Sequence, residues 1–327
     1  MNQVVLGEKY VAGVAVEGTR GEFASPQDFV RAREPFGVQT VVDKVDRQET
    51  EGTGLATKGQ DVTMKRVSGD GAVNLRFRTY GYWLLSLFGS VSSAEETGET
   101  GNGVYRHTFT VDPNALQPTL SVAMARGDFA HKGINGAVVS QINETYPTDD
   151  YINSTISLMG RTESDQSDFT PAFSDDDHIA PHQYATFKIA DTENDLDSAD
   201  PICVRSITNE MNRNTREKTC VSDDTVKDFV AQLLSLTGNF EWDKTSDEYR
   251  DLGIANGEKA MRISIVNTSV TIGSAANPSL IYTFPRVTFN TEESRPIDDT
   301  VTETVNWVAH GVSASLINEK ENYNAAA

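Results

Sequence analysis

Pro147-Thr148-Asp149-Asp150-Tyr151-Ile152-Asn153-Ser154-Thr155-Ile156 returns 149 residues later as Pro296-Ile297-Asp298-Asp299-Thr300-Val301-Thr302-Glu303-Thr304-Val305. Each stretch reads as an Asp-rich turn that opens an alternating strand. Phase is kept along with the letters. Ile152, Ile156 and Leu158 share one face, and Val301, Val305 and Trp307 share the matching one. A one-residue slip would turn that face outward. Leu84-Leu85-Ser86-Leu87-Phe88-Gly89 recurs at the same distance as Leu233-Leu234-Ser235-Leu236-Thr237-Gly238. A chain of 327 residues divides into two domains of ordinary size. The repeat predicts that the two are copies, and a chain built of copies suits symmetric assembly.

Most of the remaining periodicity also has period two. Tyr105, His107, Phe109 and Val111 alternate with Arg106, Thr108 and Thr110, and Met261, Ile263 and Ile265 alternate likewise. Two segments carry a helical stripe. The first is Phe77, Tyr80, Gly81, Leu84 and Leu85, closed by Gly89. The second is Val226, Phe229, Val230, Leu233 and Leu234, after the cap cluster Ser222-Asp223-Asp224 and closed by Gly238. Pro118-Thr119-Leu120 and Pro278-Ser279-Leu280 each open a further strand, matched between the copies. The expected fold class is α+β and mostly antiparallel β. Two tandem β-sandwich or barrel-like domains each carry one packed α-helix. The expected boundaries are a first domain at residues 1–162 with an N-terminal arm at 1–54, an acidic linker at 163–181, a second domain at 182–316 and a tail at 317–327. The tail and the Ser/Glu/Thr/Gly-rich loop 91–102 read as poorly ordered, the tail unless a neighbouring subunit holds it.

The net charge is −20. A protein that grips nucleic acid needs a basic surface, so that class is disfavoured. A protein that lets nucleic acid pass is not, because an acidic wall repels phosphates within about 8 Å at physiological salt. No apolar run is long enough to span a membrane, and residues 1–10 do not read as a secretory signal. Without such a signal, Asn143-Glu144-Thr145 and the similar acceptor patterns read as chance. Cys203 and Cys220 lack metal or redox spacing and read as two buried thiols.

No phosphate loop, nucleophile elbow or zinc-protease helix occurs. The reading is a non-enzyme without a cofactor. His178 and His182 have metal spacing, but Pro181 between them breaks the helix it needs. Asp191, Glu193, Asp195 and Asp197 alternate as calcium-loop ligands do, and form a weak cation-site candidate. Leu196 and Ile202 stand where such a loop needs glycine and a bidentate glutamate. The pairs Asp149-Asp150 and Asp298-Asp299 fit turn chemistry better than acid–base work.

With these motifs in view, the chain resembles the tail tube (major tail) proteins of long-tailed bacterial and archaeal viruses. Tyr10-Val11-Ala12-Gly13-Val14-Ala15-Val16-Glu17-Gly18-Thr19-Arg20-Gly21 looks like the opening strand and Glu-x-Thr-x-Gly turn of that family. Trp83-Leu84-Leu85-Ser86-Leu87-Phe88-Gly89, His107-Thr108-Phe109-Thr110 and Pro118-Thr119-Leu120-Ser121-Val122 follow in its order. The resemblance implies a virion protein, assembled in the host cytoplasm, whose rings stack into a hollow tail tube. Its implied partners are copies of itself, the tail terminator, the tip or baseplate, and the tape measure inside the lumen. Viral DNA would pass through without specific binding. Most relatives build six-membered rings from one domain, so the duplication implies trimeric, pseudo-hexameric rings. Residues 21–54, 91–102 and 163–181 are the candidate ring-to-ring arms. Alternative readings are another virion ring protein (terminator, head decoration or contractile-system inner tube) and an acidic β-sandwich module for carbohydrate or calcium.

Overall fold

The computed structural model describes residues 9–47, 59–113, 116–127, 131–167, 169–294 and 300–324. In chain order the elements begin with β1 (Tyr10–Val16), β2 (Asp28–Val30), β3 (Gln39–Asp46), β4 (Gln60–Asn74) and α1 (Tyr80–Phe88). Next come β5 (Gly89–Glu95), β6 (Tyr105–Val111), β7 (Leu120–Arg126), β8 (His131–Tyr146), β9 (Asn153–Gly160) and β10 (Thr162–Asp165). The remainder is β11 (Ala185–Ala190), β12 (Ser206–Asn212), β13 (Arg216–Lys218), β14 (Asp228–Val230), β15 (Ser235–Asp243), α2 (Glu248–Ala255), β16 (Glu258–Val266), β17 (Ser279–Ser294), β18 (Thr302–Ala309) and β19 (Ser313–Asn318). The fold is mostly antiparallel β and sandwich-like, as the alternation predicts.

One order of antiparallel pairing occurs twice. In the first half it runs β1–β7–β8–β9–β4–β3. In the second it runs β11–β16–β17–β18–β15–β12. Finer marks agree. Ser68 faces Met159 as Thr237 faces Val308. The β3–β4 register shifts by one residue between Asp43 and Lys44, setting Lys44 opposite Val62 rather than Thr63. The same shift separates β12–β15 from β13–β14, setting Arg216 opposite Val230 rather than Ala231. The β13–β14 hairpin thus stands where the outer end of β3–β4 stands. Each half has one helix, directly after the corresponding strand, and Tyr80 and Tyr249 near their starts are both buried. Among the described residues the hairpin β5–β6 has no counterpart in the second half.

Several expectations need correction. The stripe ending at Leu234 forms no helix: residues 228–230 and 235–243 are strands. Leu236, Phe240 and Trp242 are buried at period two while Leu233 is 82% exposed. Pairing with β12 and β18 outweighs a helical stripe that would leave those three side chains unpacked. Gly238 is no helix cap. A Cβ there would lie 2.1 Å from Thr208 O and 2.4 Å from the Trp307 ring, so two strands and an indole close over it. The Leu84 and Leu233 strings are therefore not structurally equivalent, whereas the Thr155 and Thr304 strands are. Pro118 precedes β7 and Pro278 precedes β17, which are not counterparts either. Cys203 and Cys220 are exposed, not buried.

The first helix is as expected. All nine residues of α1 are buried, and Gly89 ends it in the left-handed region at φ 99°. Burial of Trp83, Leu84, Leu87 and Phe88 stabilises by roughly 1.5–3 kcal/mol each. The described residues of segment 163–181 pack against the first half. β10 pairs with β8, Phe169 and Phe173 stack on Phe29, and Asp177 accepts main-chain N–H bonds from Arg78 and Thr79 at 3.1 Å, capping α1. Arg78 pairs with Asp176, and Arg76 donates to the Asp177 main-chain carbonyl at 2.6 Å. Loop 91–102 is likewise ordered, through β5 and through Glu99. The described part of the tail, 319–324, expected to need a neighbour, packs on its own chain: Tyr323 is 1% exposed and Lys320 reaches Asp28.

Candidate functional site

β8 carries the run Ile142-Asn143-Glu144-Thr145-Tyr146, and period two sends Ile142, Glu144 and Tyr146 inward together. The outer end of β8 leaves β7 and pairs with β12 of the second half, with Ile142↔Met211, Asn143↔Glu210 and Glu144↔Asn209. The two halves are thus sewn into one continuous sheet. Glu144 sits at the seam, wholly buried. Its carboxylate accepts from Tyr80 Oη (2.5 Å) and Tyr146 Oη (2.7 Å) of the first half. It also accepts from Tyr282 Oη (2.6 Å) and Asn209 Nδ2 (2.9 Å) of the second. Burial raises its pKa, and the four donors oppose that rise. The geometry suits a fixed joint and offers no open space for a substrate.

The β13–β14 segment reaches back over the first half. Val226 and Phe229 pack with Val138 against the half-buried Met64 and Met159. Around them Arg20 pairs with Asp228 at 2.8 Å and Lys65 with Asp224 at 2.6 Å. A third tie runs the other way. Glu99 of the first half accepts N–H bonds from Ser274 (2.7 Å), Ala275 (2.7 Å) and Ala276 (3.0 Å) of the second. The Ser274 N–H leads the forces that hold its pKa down to about 2, with the Asn102 side chain and the Ala275 N–H adding to it. The tail makes the fourth: Tyr323 Oη donates to Arg78 O at 2.6 Å, and Lys320 reaches Asp28 at 2.8 Å. Burial alone would raise Asp28, but Lys320, Tyr82 and Arg78 together lower it.

The candidate cation ligands are not brought together. Asp191 pairs with Lys259, Asp197 with Arg262, and Asp195 accepts from the Thr192 hydroxyl at 2.6 Å. Glu193 begins a single 3-10 turn. Among the described residues no three His, Cys, Asp or Glu side chains form a metal-binding group. His178 lies 3.8 Å from Glu319, while His182 Nδ1 is 2.9 Å from Asp150 O, so the two serve different contacts. Asp150 sits in the turn before β9, and Asp298-Asp299 lie outside the described residues. No described helix is long and apolar enough to cross a membrane. Sequence reading passed over Glu144 as part of an acceptor pattern. An acid on the apolar face of an alternating strand was the signal that could have found it.

A family model described as phage tail tube protein matches residues 11–309. No curated protein matches the chain.

Proposed function

The chain belongs to the phage tail tube protein family, and from that premise we propose that three copies close into a ring whose rings stack into the hollow tail tube. The family makes it a structural component of the virion tail and points away from enzymatic work. The observation that carries the ring reading is the seam between β8 and β12. It joins two sets of strands with one pairing order into a single sheet, as tandem copies of one tube domain would be joined. Repeating that joint between chains closes the sheet and leaves no free edge to recruit strands at random. Two domains per chain make three chains equal to six. Head-to-tail stacking then grows a filament. The −20 charge suits a lumen along which DNA slides without adhering. The terminator, the tip and the tape measure are the expected tail partners.

Negative-stain electron microscopy of the purified protein tests this. Hollow tubes of stacked three-chain rings are expected. Closed rings that never grow would favour a terminator, and a protein that stays monomeric at all concentrations would overturn the assembly reading.

A further inference from the structure

Among the described residues, the seam inside the chain has a counterpart without a strand partner in each half. By the double pairing order, β3 corresponds to β12 and the outer end of β17 to that of β8. β12 is paired on both sides, with β15 and β8. β3 is paired with β4 alone among the described strands. The outer end of β8 lies between β9 and β12. On β17, pairing with β16 ends at Glu258↔Thr288, and no described strand continues it along residues 290–292.

The two edges also face correctly. Arg213 N–H bonds Ser140 O across the seam, so Met211, two residues earlier, turns its main chain the same way. The residue matching Met211 is Thr40. Its N–H points away from β4, where it bonds the Glu163 carboxylate at 2.9 Å. A side chain thus satisfies the donor that a strand satisfies at the internal seam.

Apolar surface gives an independent sign. In the first half, Met64, Met159 and Val138 are covered by Val226 and Phe229. Their counterparts in the second half are Leu233, Val308 and Thr288. There Leu233 is 82% and Val308 45% exposed. The hairpin that matches the β13–β14 cover is the outer end of β3–β4, and it carries Val42, Val45 and Val62, exposed at 41%, 57% and 44%. One end of the chain holds an uncovered patch and the other an apolar cover without a patch.

We infer that the β3–β4 hairpin of one chain docks on β15, β18 and β17 of the next copy and adds β3 to the open edge of β17, in the register Gln39↔Glu292, Thr40↔Thr291, Val41↔Asn290. Thr40 then exchanges Glu163 for the main chain of Thr291. This is strand addition directed by a template already present in the fold. It rests on the ring reading above and names its contact.

Cysteine cross-linking reads the register. In this pairing Val41 and Asn290 are a non-hydrogen-bonded pair, with Cα atoms about 4.5 Å apart, inside the ~4.4–6.8 Å range of a disulfide. In a Cys203→Ser, Cys220→Ser background, V41C with N290C should oxidise to covalent dimers and closed trimers on a non-reducing gel. V41C with E292C, out of register, should give at least fivefold less. Leu233→Asp with Val308→Asp should abolish rings and leave the far-UV circular dichroism unchanged. Wild-type rings with no cross-link above the control, or rings that survive the double aspartate variant, would overturn the contact and leave ring assembly standing. A wild type that forms no rings and does not cross-link would overturn both.

Discussion

A buried carboxylate that takes four donors from two halves of a chain has little freedom, and its loss should be costly. Glu144→Ala strands the Tyr146 and Tyr282 hydroxyls and the Asn209 amide away from water and leaves Tyr80 only Ser154 at 3.1 Å. The expected loss is on the order of 3–5 kcal/mol, read as a shift of the urea midpoint, since each orphaned buried group costs roughly 1–3 kcal/mol before any rearrangement. A loss under about 1 kcal/mol would mean the joint is not stabilising. His107 supplies a pH test. It is wholly buried, its Nδ1 2.8 Å from Ser93 Oγ and its Nε2 3.1 Å from Asn318 Oδ1. Burial pushes its pKa down from 6.5 to about 4. The folded chain therefore prefers neutral imidazole, and unfolding takes up a proton between those values. The contribution is complete above about pH 6.5, falls as pH drops toward about 4, and changes no further below. Its full size is on the order of 3 kcal/mol. The difference between wild type and His107→Gln, followed by denaturant unfolding against pH, should show that slope. A difference that stays flat from pH 7 to 4 would contradict it.

Among elements, the C-terminal segment and α1 depend on each other. A Cβ at Gly81 would lie 2.1 Å from the Tyr323 ring, so the tail seats on the helix only because that position is glycine. Gly81→Ala and Tyr323→Ala should both release the tail. Tyr323→Ala should lower stability by roughly 3–5 kcal/mol, the usual loss for a large buried aromatic. The check is faster proteolysis after Lys320 in both variants, and an intact tail in Gly81→Ala would refute the seating. The α1 stripe was legible in the sequence because helix and core agree there. The stripe over residues 226–234 misled because half of it serves another purpose. Val226 and Phe229 cover the first half, and Leu233 is exposed. The true second helix, Glu248–Ala255, buries only Tyr249 and leaves almost no apolar period to read. The shared strand phase was legible where burial enforces it, at Ile156 and Val305, both at 0% exposure. The joint was not. The alternation of β8 marks Glu144 as inward-facing, but nothing in a single sequence names Tyr80, Asn209 and Tyr282, 64, 65 and 138 residues away, as its partners.

At the scale of the whole molecule, the chain is asymmetric in an informative way. Its middle is closed by the β8–β12 seam, the β13–β14 cover, Glu99 and the tail. Its two ends keep the open halves of the same joint. On the proposed assembly such a molecule satisfies its edges by meeting copies of itself, and the two sets of strands with one pairing order would set the count at three chains. Reconstruction of the tube by electron cryomicroscopy, with the rotational symmetry of one ring determined without imposing it, tests this most directly. Three chains per ring are expected, with seams within a chain alternating with seams between chains around one continuous β wall. Six whole chains per ring, or a wall broken between chains at β3 and β17, would contradict the account.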